Sequence, residues 1–223
     1  MAIRRLAAIG LLMALSSSST TCAAESVKLF NGKDLTGWTQ RGGAAKYSIE
    51  GDEIVGRSVP DTSNTFLATD KEYGDFALEL DFKIDDPTFN SGIQIRSHAR
   101  PKGDGEQVYG YQVEIDPRTD RSWSAGIYFE AGNEHRQAGW LNDLAKNEAA
   151  RNAFKLGEWN HLKIVAQGRH IQTWINGVPA ADFMEDNDDA FAPSGFIGLQ
   201  VHSVGDAKEP KEVRWRNIEL TEL

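Results

Sequence analysis

The chain has 223 residues, with 33 acidic against 24 basic side chains, a formal charge of −9 and a single cysteine, Cys22. Such a surface disfavours nucleic acid and anionic membranes and fits a neutral or cationic ligand. With no second cysteine there is no disulfide framework, and past residue 22 there is no thiol for nucleophilic chemistry.

Residues 1–24 read as a secretory signal: Arg4-Arg5, an apolar run over 6–15, then small residues ending at Ala23-Ala24. The run is too short to span a bilayer. Cleavage after Ala24 would carry the formal charge from −9 to −11 and leave 25–223, a length that suits one β-sandwich domain with a sizeable core. Lipid anchoring at Cys22 is the lesser alternative, because Ser19-Thr20-Thr21 ahead of it is a poor match to the Leu-small-small pattern. The expected location is therefore secreted or periplasmic, and not transmembrane.

In chain order, 27–30 is a short strand, followed by turn chemistry at Asn31-Gly32 and Thr36-Gly37. Segments 47–49 and 53–57 form a hairpin across Glu50-Gly51-Asp52, and 65–69 is a further strand. Segment 76–84 alternates, with Phe76, Leu78, Leu80, Phe82 and Ile84 inward and mixed charge outward, as on a solvated convex sheet. Segment 90–96 sets Ser91, Ile93 and Ile95 against Gly92, Gln94 and Arg96. A loop, 98–107, separates it from 109–116, where Gln112, Glu114 and Asp116 oppose Tyr111, Val113 and Ile115. A polar loop over 117–124 leads to a strand over 125–129, and 141–154 is the one helix candidate, a surface insertion. Segments 159–166, 170–175, 195–201 and 213–220 are strands, with a tight turn at Asn176-Gly177 and the last strand beside the first. The acidic run 185–189 reads as a solvated loop rather than a cation site. In 198–202, Gln200 and His202 oppose Leu199 and Val201.

Three strands with one aliphatic and one polar face predict a single sheet that is polar on its concave side. Many strands, Gly and Asn turns and one short surface helix give an all-β fold, a jelly-roll β-sandwich in one domain over 25–223.

Seven segments carry a resemblance: 29–38 (Leu-Phe-Asn-Gly-Lys-Asp-Leu-Thr-Gly-Trp), Tyr73-Gly74-Asp75-Phe76, Asn90-Ser91-Gly92-Ile93, Gly157-Glu158-Trp159-Asn160, Ile175-Asn176-Gly177, 195–200 (Gly-Phe-Ile-Gly-Leu-Gln) and Arg216-Asn217-Ile218. In this order, and over essentially all of 25–223, they resemble the 3-keto-disaccharide hydrolase domain family. The resemblance implies a concanavalin A-like jelly roll, export, and action on glycosides oxidised to a ketone at sugar C3. It also implies functional pairing with a sugar 3-dehydrogenase, and it leaves open that many members only bind carbohydrate.

The candidate catalytic residues are His202, Arg96, Glu114 and Asp116. Imidazole has an unperturbed pKa near working pH, which suits His202 to a general base. Arg96 offers a fork of donors for an enolate oxygen, with an ion pair to Glu114 or Asp116 as the structural alternative. Glu114 and Asp116 can divide acid and base roles if their environments push their pKa values apart. Gln94, Gln112 and Gln200 suit sugar hydroxyls or form a cross-strand ladder. Tyr128, Trp123 and Trp140 offer stacking faces, and His98 lies at the sheet rim. Trp38, Trp159 and Trp215 read as core, and Asn31 and Asn90 as turn residues.

No cofactor is required by the sequence, although a divalent cation on Glu114 and Asp116 is possible. No Gly-x-Ser-x-Gly, His-x-x-x-His, phosphate-binding or dinucleotide Gly motif occurs. Glu114-Ile115-Asp116 is similar to the acidic strand of jelly-roll endoglucanases, but position 118, where a third acid would fall, is Arg. The leading expectation is cleavage of 3-keto-glycosides by C2 proton abstraction, elimination and hydration. The alternative is a non-catalytic carbohydrate-binding module or lectin using the same face.

Overall fold

The computed structural model describes residues 25–223; the signal-peptide reading, with Cys22, lies outside the described residues. The first half of the chain supplies β1 (Ser26–Lys28), β2 (Trp38–Gly42), β3 (Lys46–Glu50), β4 (Glu53–Arg57), β5 (Thr65–Thr69), β6 (Phe76–Ile84), β7 (Ser91–Lys102) and β8 (Gly105–Ile115). The second half supplies β9 (Ile127–Glu130), β10 (Gly139–Trp140), α1 (Glu148–Ala153), β11 (Asn160–Gln167), β12 (His170–Ile175), β13 (Val178–Met184), β14 (Phe196–Val201) and β15 (Glu212–Glu222). They form two antiparallel sheets. One runs β13-β12-β11-β6-β15-β4-β3, with β1 paired to β15; the other runs β10-β9-β8-β7-β14-β5-β2.

The alternation in β6 places Phe76, Leu78, Leu80, Phe82 and Ile84 between the sheets, all fully buried. Across from them lie Ile93 and Ile95 of β7, Tyr111, Val113 and Ile115 of β8, and Ile197, Leu199 and Val201 of β14. Each such side chain contributes about 1.5–3 kcal/mol by leaving water. The aliphatic halves of three alternating strands therefore fix which face of the second sheet turns outward. The first strand pairs with the last, Val27 opposite Leu220.

The structure differs from the sequence reading where polar composition hid a strand. The expected 98–107 loop is the far end of the β7–β8 hairpin, paired as far as Lys102 opposite Gly105. The edge strand β13, which contains Pro179, pairs with β12 despite weak apolar alternation. The helix is only six residues long. Asn147 caps it by accepting from the Ala150 amide, Phe154 is already extended, and upstream Asn142 accepts the Ile127 amide at 2.6 Å instead of joining a helix. Glu185 is not solvated: it is 1% exposed, accepts from the Tyr111 hydroxyl at 2.8 Å, and pairs with Arg136. Trp159 is half-buried beneath Arg216, at 3.9 Å, rather than in the core.

The largest correction is Arg96. A β-bulge lies between Ile95 and His98, and Arg96 sits in it at φ +45°, in the left-handed region. The extra residue turns the Arg96 side chain away from the face of Gln94. Its guanidinium is 1% exposed and donates from Nε to the Gly74 carbonyl (2.7 Å), from one terminal nitrogen to the Gly168 carbonyl (2.5 Å), and from the other to Asp75 Oδ1 (2.7 Å). Gly168 lies in the β11–β12 turn of the opposite sheet, so Arg96 clamps the two sheets together and does not pair with Glu114 or Asp116. Arg96→Ala would leave two carbonyls short of a charged donor. We expect a loss of about 3 kcal/mol in denaturant unfolding, only partly recovered in Arg96→Lys, whose ammonium cannot present a fork. Unchanged stability would remove the clamp.

Candidate functional site

Strands β8, β7 and β14 are adjacent, which brings Gln112, Gln94 and Gln200 to one outward face. The face carries a chain of hydrogen bonds. Ser97 Oγ donates to Gln94 Oε1 at 2.6 Å, Gln94 Nε2 donates to Gln112 Oε1 at 2.6 Å, and Gln112 Nε2 donates to Glu114 Oε1. Gly92 makes room for it, since a Cβ there would come within 2.6 Å of the Gln112 side chain. Gln94 and Gln200 are shut from solvent and form the floor; Gln200 has no amide partner among the described residues. Of the three glutamines, Gln112 reaches the cleft above.

That cleft measures about 440 Å³ and is lined by Asn90, Gln112, Glu114, Arg121, Tyr128, Glu130, Gly139, Trp140 and His202. Burial pushes the Glu114 carboxyl up to about 8; the hydrogen bonds from Gln112 and Asn90 oppose this, and the nearby Glu130 and Asp116 carboxyls add to it to the extent that they are ionised. Glu114 is thus a neutral acid at pH 7. Burial also raises Glu130, against its bond from Asn64 and the attraction that His202 exerts when protonated. His202 Nδ1 donates to the Ser203 carbonyl at 2.7 Å, so the neutral ring keeps its lone pair on Nε2.

Asp116, which the sequence placed beside Glu114 as a catalytic acid and potential cation ligand, does not line the cleft. Its buried Oδ2 accepts from Arg121 Nε at 2.7 Å and from the Trp123 amide at 3.2 Å. Glu114 and Asp116 therefore do not converge as a ligand pair, and no group of three or more His, Cys, Asp or Glu is placed to hold a metal among the described residues. What Asp116 does is aim Arg121. That guanidinium lies over Trp140 (4.8 Å) and Trp123 (5.7 Å), and its terminal nitrogens have no hydrogen-bond partner among the described residues. Trp140 stands edge-on to both Trp123 (4.8 Å) and Tyr128 (5.5 Å). Trp140 and Tyr128 face the cleft; Trp123 buttresses Trp140 from behind.

Arg96 is absent from this constellation, and so is His98, which packs on Tyr109 at 6.0 Å beyond the bulge. Four lining residues escaped the sequence reading, one of them Gly139, which brings no side chain. Asn90 was read as a turn residue but lines the cleft with Glu114 and opposes the rise of its pKa. Glu130 continues the alternation of Tyr128 and could have been found by extending that strand one step. Arg121 lies in a loop, where no periodicity marks it.

The family model for the 3-keto-alpha-glucoside-1,2-lyase-like domain matches residues 25–221. No curated protein matches the chain. Among solved structures, a protein described as a candidate glycosyl hydrolase from Parabacteroides distasonis is similar at 22% identity and TM-score 0.57, over 89% of this chain and 94% of that one. The carbohydrate-binding module CBM66 from Bacillus subtilis is similar at 19% identity and TM-score 0.56, over 83% and 96%. A Bacillus subtilis protein with a galectin-like fold is similar at 12% identity and TM-score 0.63, over 89% and 94%. At these identities the structural likenesses establish the jelly-roll sandwich. The match over 25–221 establishes the family: the chain belongs to the 3-keto-alpha-glucoside-1,2-lyase-like domain family.

Proposed function

We propose that the Glu114–His202 cleft cleaves glycosides carrying a ketone at sugar C3. The observation that carries this reading is a neutral buried carboxyl, a histidine with a free Nε2 and a guanidinium whose terminal nitrogens are left open by its Nε pairing to Asp116, all at one sugar-sized cleft with aromatic walls. A C3 ketone acidifies the C2 proton. His202 Nε2 takes that proton, and the enolate oxygen is held by the terminal N–H groups of Arg121 and by protonated Glu114. At a position as buried as that of Glu114, a neutral carboxylic acid donates where a carboxylate would repel. The enolate then expels the aglycone from C1, and water adding to the enone gives net hydrolysis. Trp140 and Tyr128 supply faces for the pyranose C–H bonds.

A carbohydrate-binding module would use the same aromatic walls, and the cleft between Tyr128 and Trp140 fits that role. Binding alone, however, gives no reason to hold Glu114 protonated beside an imidazole base. The supply of 3-keto substrate by a sugar 3-dehydrogenase belongs to the same proposal. So does export with cleavage after Ala24; Edman sequencing of the released protein would then begin at Glu25.

His202→Ala and Arg121→Ala should each lower kcat/KM on a 3-keto-glucoside at least ~100-fold, by general-base and oxyanion precedent. Near-normal turnover in either would withdraw that role. If the unaltered protein binds sugar by calorimetry but turns over neither the keto form nor the plain glucoside, the module reading stands instead.

Glu114 also sets a pH dependence. Its folded pKa of about 8 lies above the ordinary 4.5, so between these values the native state holds a proton the unfolded chain has lost. Its contribution is intact below pH 4.5, declines as pH rises, and is lost above about 8. Glu114→Gln should flatten the fall in melting temperature across that window, and the activity of the unaltered protein should fall as pH passes about 8. An unchanged melting profile would place the ionisation elsewhere.

A further inference from the structure

Beyond Glu130 the groove continues on the same sheet face into a second cleft of about 250 Å³, lined among others by Asn64, Phe66, Lys102, Gln107 and Val108. Two features join it to the first. Glu130 lines both clefts, and the successive residues His202 and Ser203 line one each. Asn64 locks this junction: its Nδ2 donates to Glu130 Oε1 at 3.0 Å and its Oδ1 accepts the Ser203 amide at 2.9 Å. The chemistry of the second cleft is that of a sugar site. Amide groups and an ammonium stand over a small apolar floor of Phe66 and Val108, matching ring hydroxyls above a C–H face.

We propose that the second cleft is the subsite for the departing sugar unit, and that Glu130 protonates the glycosidic oxygen lying between the two clefts. This rests on the 3-keto-glycoside reading of the first cleft. A glycosidic oxygen is the one atom that belongs to both sugar units, and Glu130 is the one residue common to both clefts. When the enolate collapses, the C1–O bond breaks, its electron pair goes to the leaving oxygen, and the Glu130 carboxyl supplies the proton. The timing is favourable. His202 has just become an imidazolium, and a positive His202 favours the Glu130 carboxylate. On hydration the roles reverse: Glu130 takes a proton from water as its oxygen bonds C1, and the imidazolium returns a proton to C2. Both groups end as they began, and the products are a 3-keto sugar and a free sugar.

The test uses three substrates: a disaccharide with a 3-ketoglucosyl unit, methyl 3-keto-glucoside and nitrophenyl 3-keto-glucoside. In single turnovers that read release of the leaving group, Glu130→Gln should lower the rate at least ~100-fold on the disaccharide but less than ~10-fold on the nitrophenyl glycoside, whose departure needs no acid. Equal losses on both would overturn the acid role. Ser63→Trp, at an exposed position on the rim of the second cleft, should raise KM for the disaccharide about tenfold and leave the methyl glycoside unchanged. Unchanged disaccharide KM in this variant and in Gln107→Ala would overturn the subsite. Failure of the unaltered protein to cleave any of the three would remove the 3-keto-glycoside reading itself, and the subsite with it.

Discussion

The bulge at Arg96 is the constraint on which the groove depends. Upstream of it, Ile93 and Ile95 face the core while Gln94 faces out; downstream, odd-numbered Ser97 and Ala99 face out instead. One inserted residue thus shifts the phase of β7. It lets Ser97 close the hydrogen-bond chain on Gln94, and it brings Ala99 alongside Phe66, Val108 and Phe196 in an apolar cluster on the outer face. A strand without the bulge would carry a guanidinium on the floor beside Gln94 and would turn that alanine inward. The strain of a left-handed arginine is offset by three charge-assisted hydrogen bonds that tie β7 to the opposite sheet.

On this scaffold, electrostatics follow from dryness. The floor runs Ser97, Gln94, Gln112, Glu114, with each amide giving and accepting one bond, so the carboxyl at its end is fixed in place without being given a cation. Asp116, two residues on, is also buried, but it spends its charge on Arg121 and the Trp123 amide. Two acids on one strand therefore part company: one stays neutral in the cleft, the other stays outside it and positions the arginine. This separation of environments leaves a neutral carboxyl, an imidazole and the free end of an Asp116-paired guanidinium around one cleft.

The fold was legible because its signal is local and repeated. Period-two alternation in β6, β7, β8 and β14, with Asn-Gly and Glu-Gly-Asp turns between other strands, is enough to state two sheets around a shared core and to say which face carries glutamines. Strands that lie at the rim or project into solvent, such as β13 and the far end of the β7–β8 hairpin, need no apolar alternation, so composition concealed them.

The site was legible only in part. The sequence by itself determined the β-sandwich, the polar face, and the presence on it of Glu114, His202 and Gln112, because side-chain direction along a regular strand follows from parity alone. Tertiary structure decided the rest. A single positive φ broke parity at Arg96 and sent it to the sheet–sheet clamp, while a loop folded back on Asp116 brought in Arg121. Strand pairing set Glu130 at the meeting of two clefts, tied to Asn64, 66 residues away. Such contacts arise from packing between distant segments, and no periodicity within one segment encodes them.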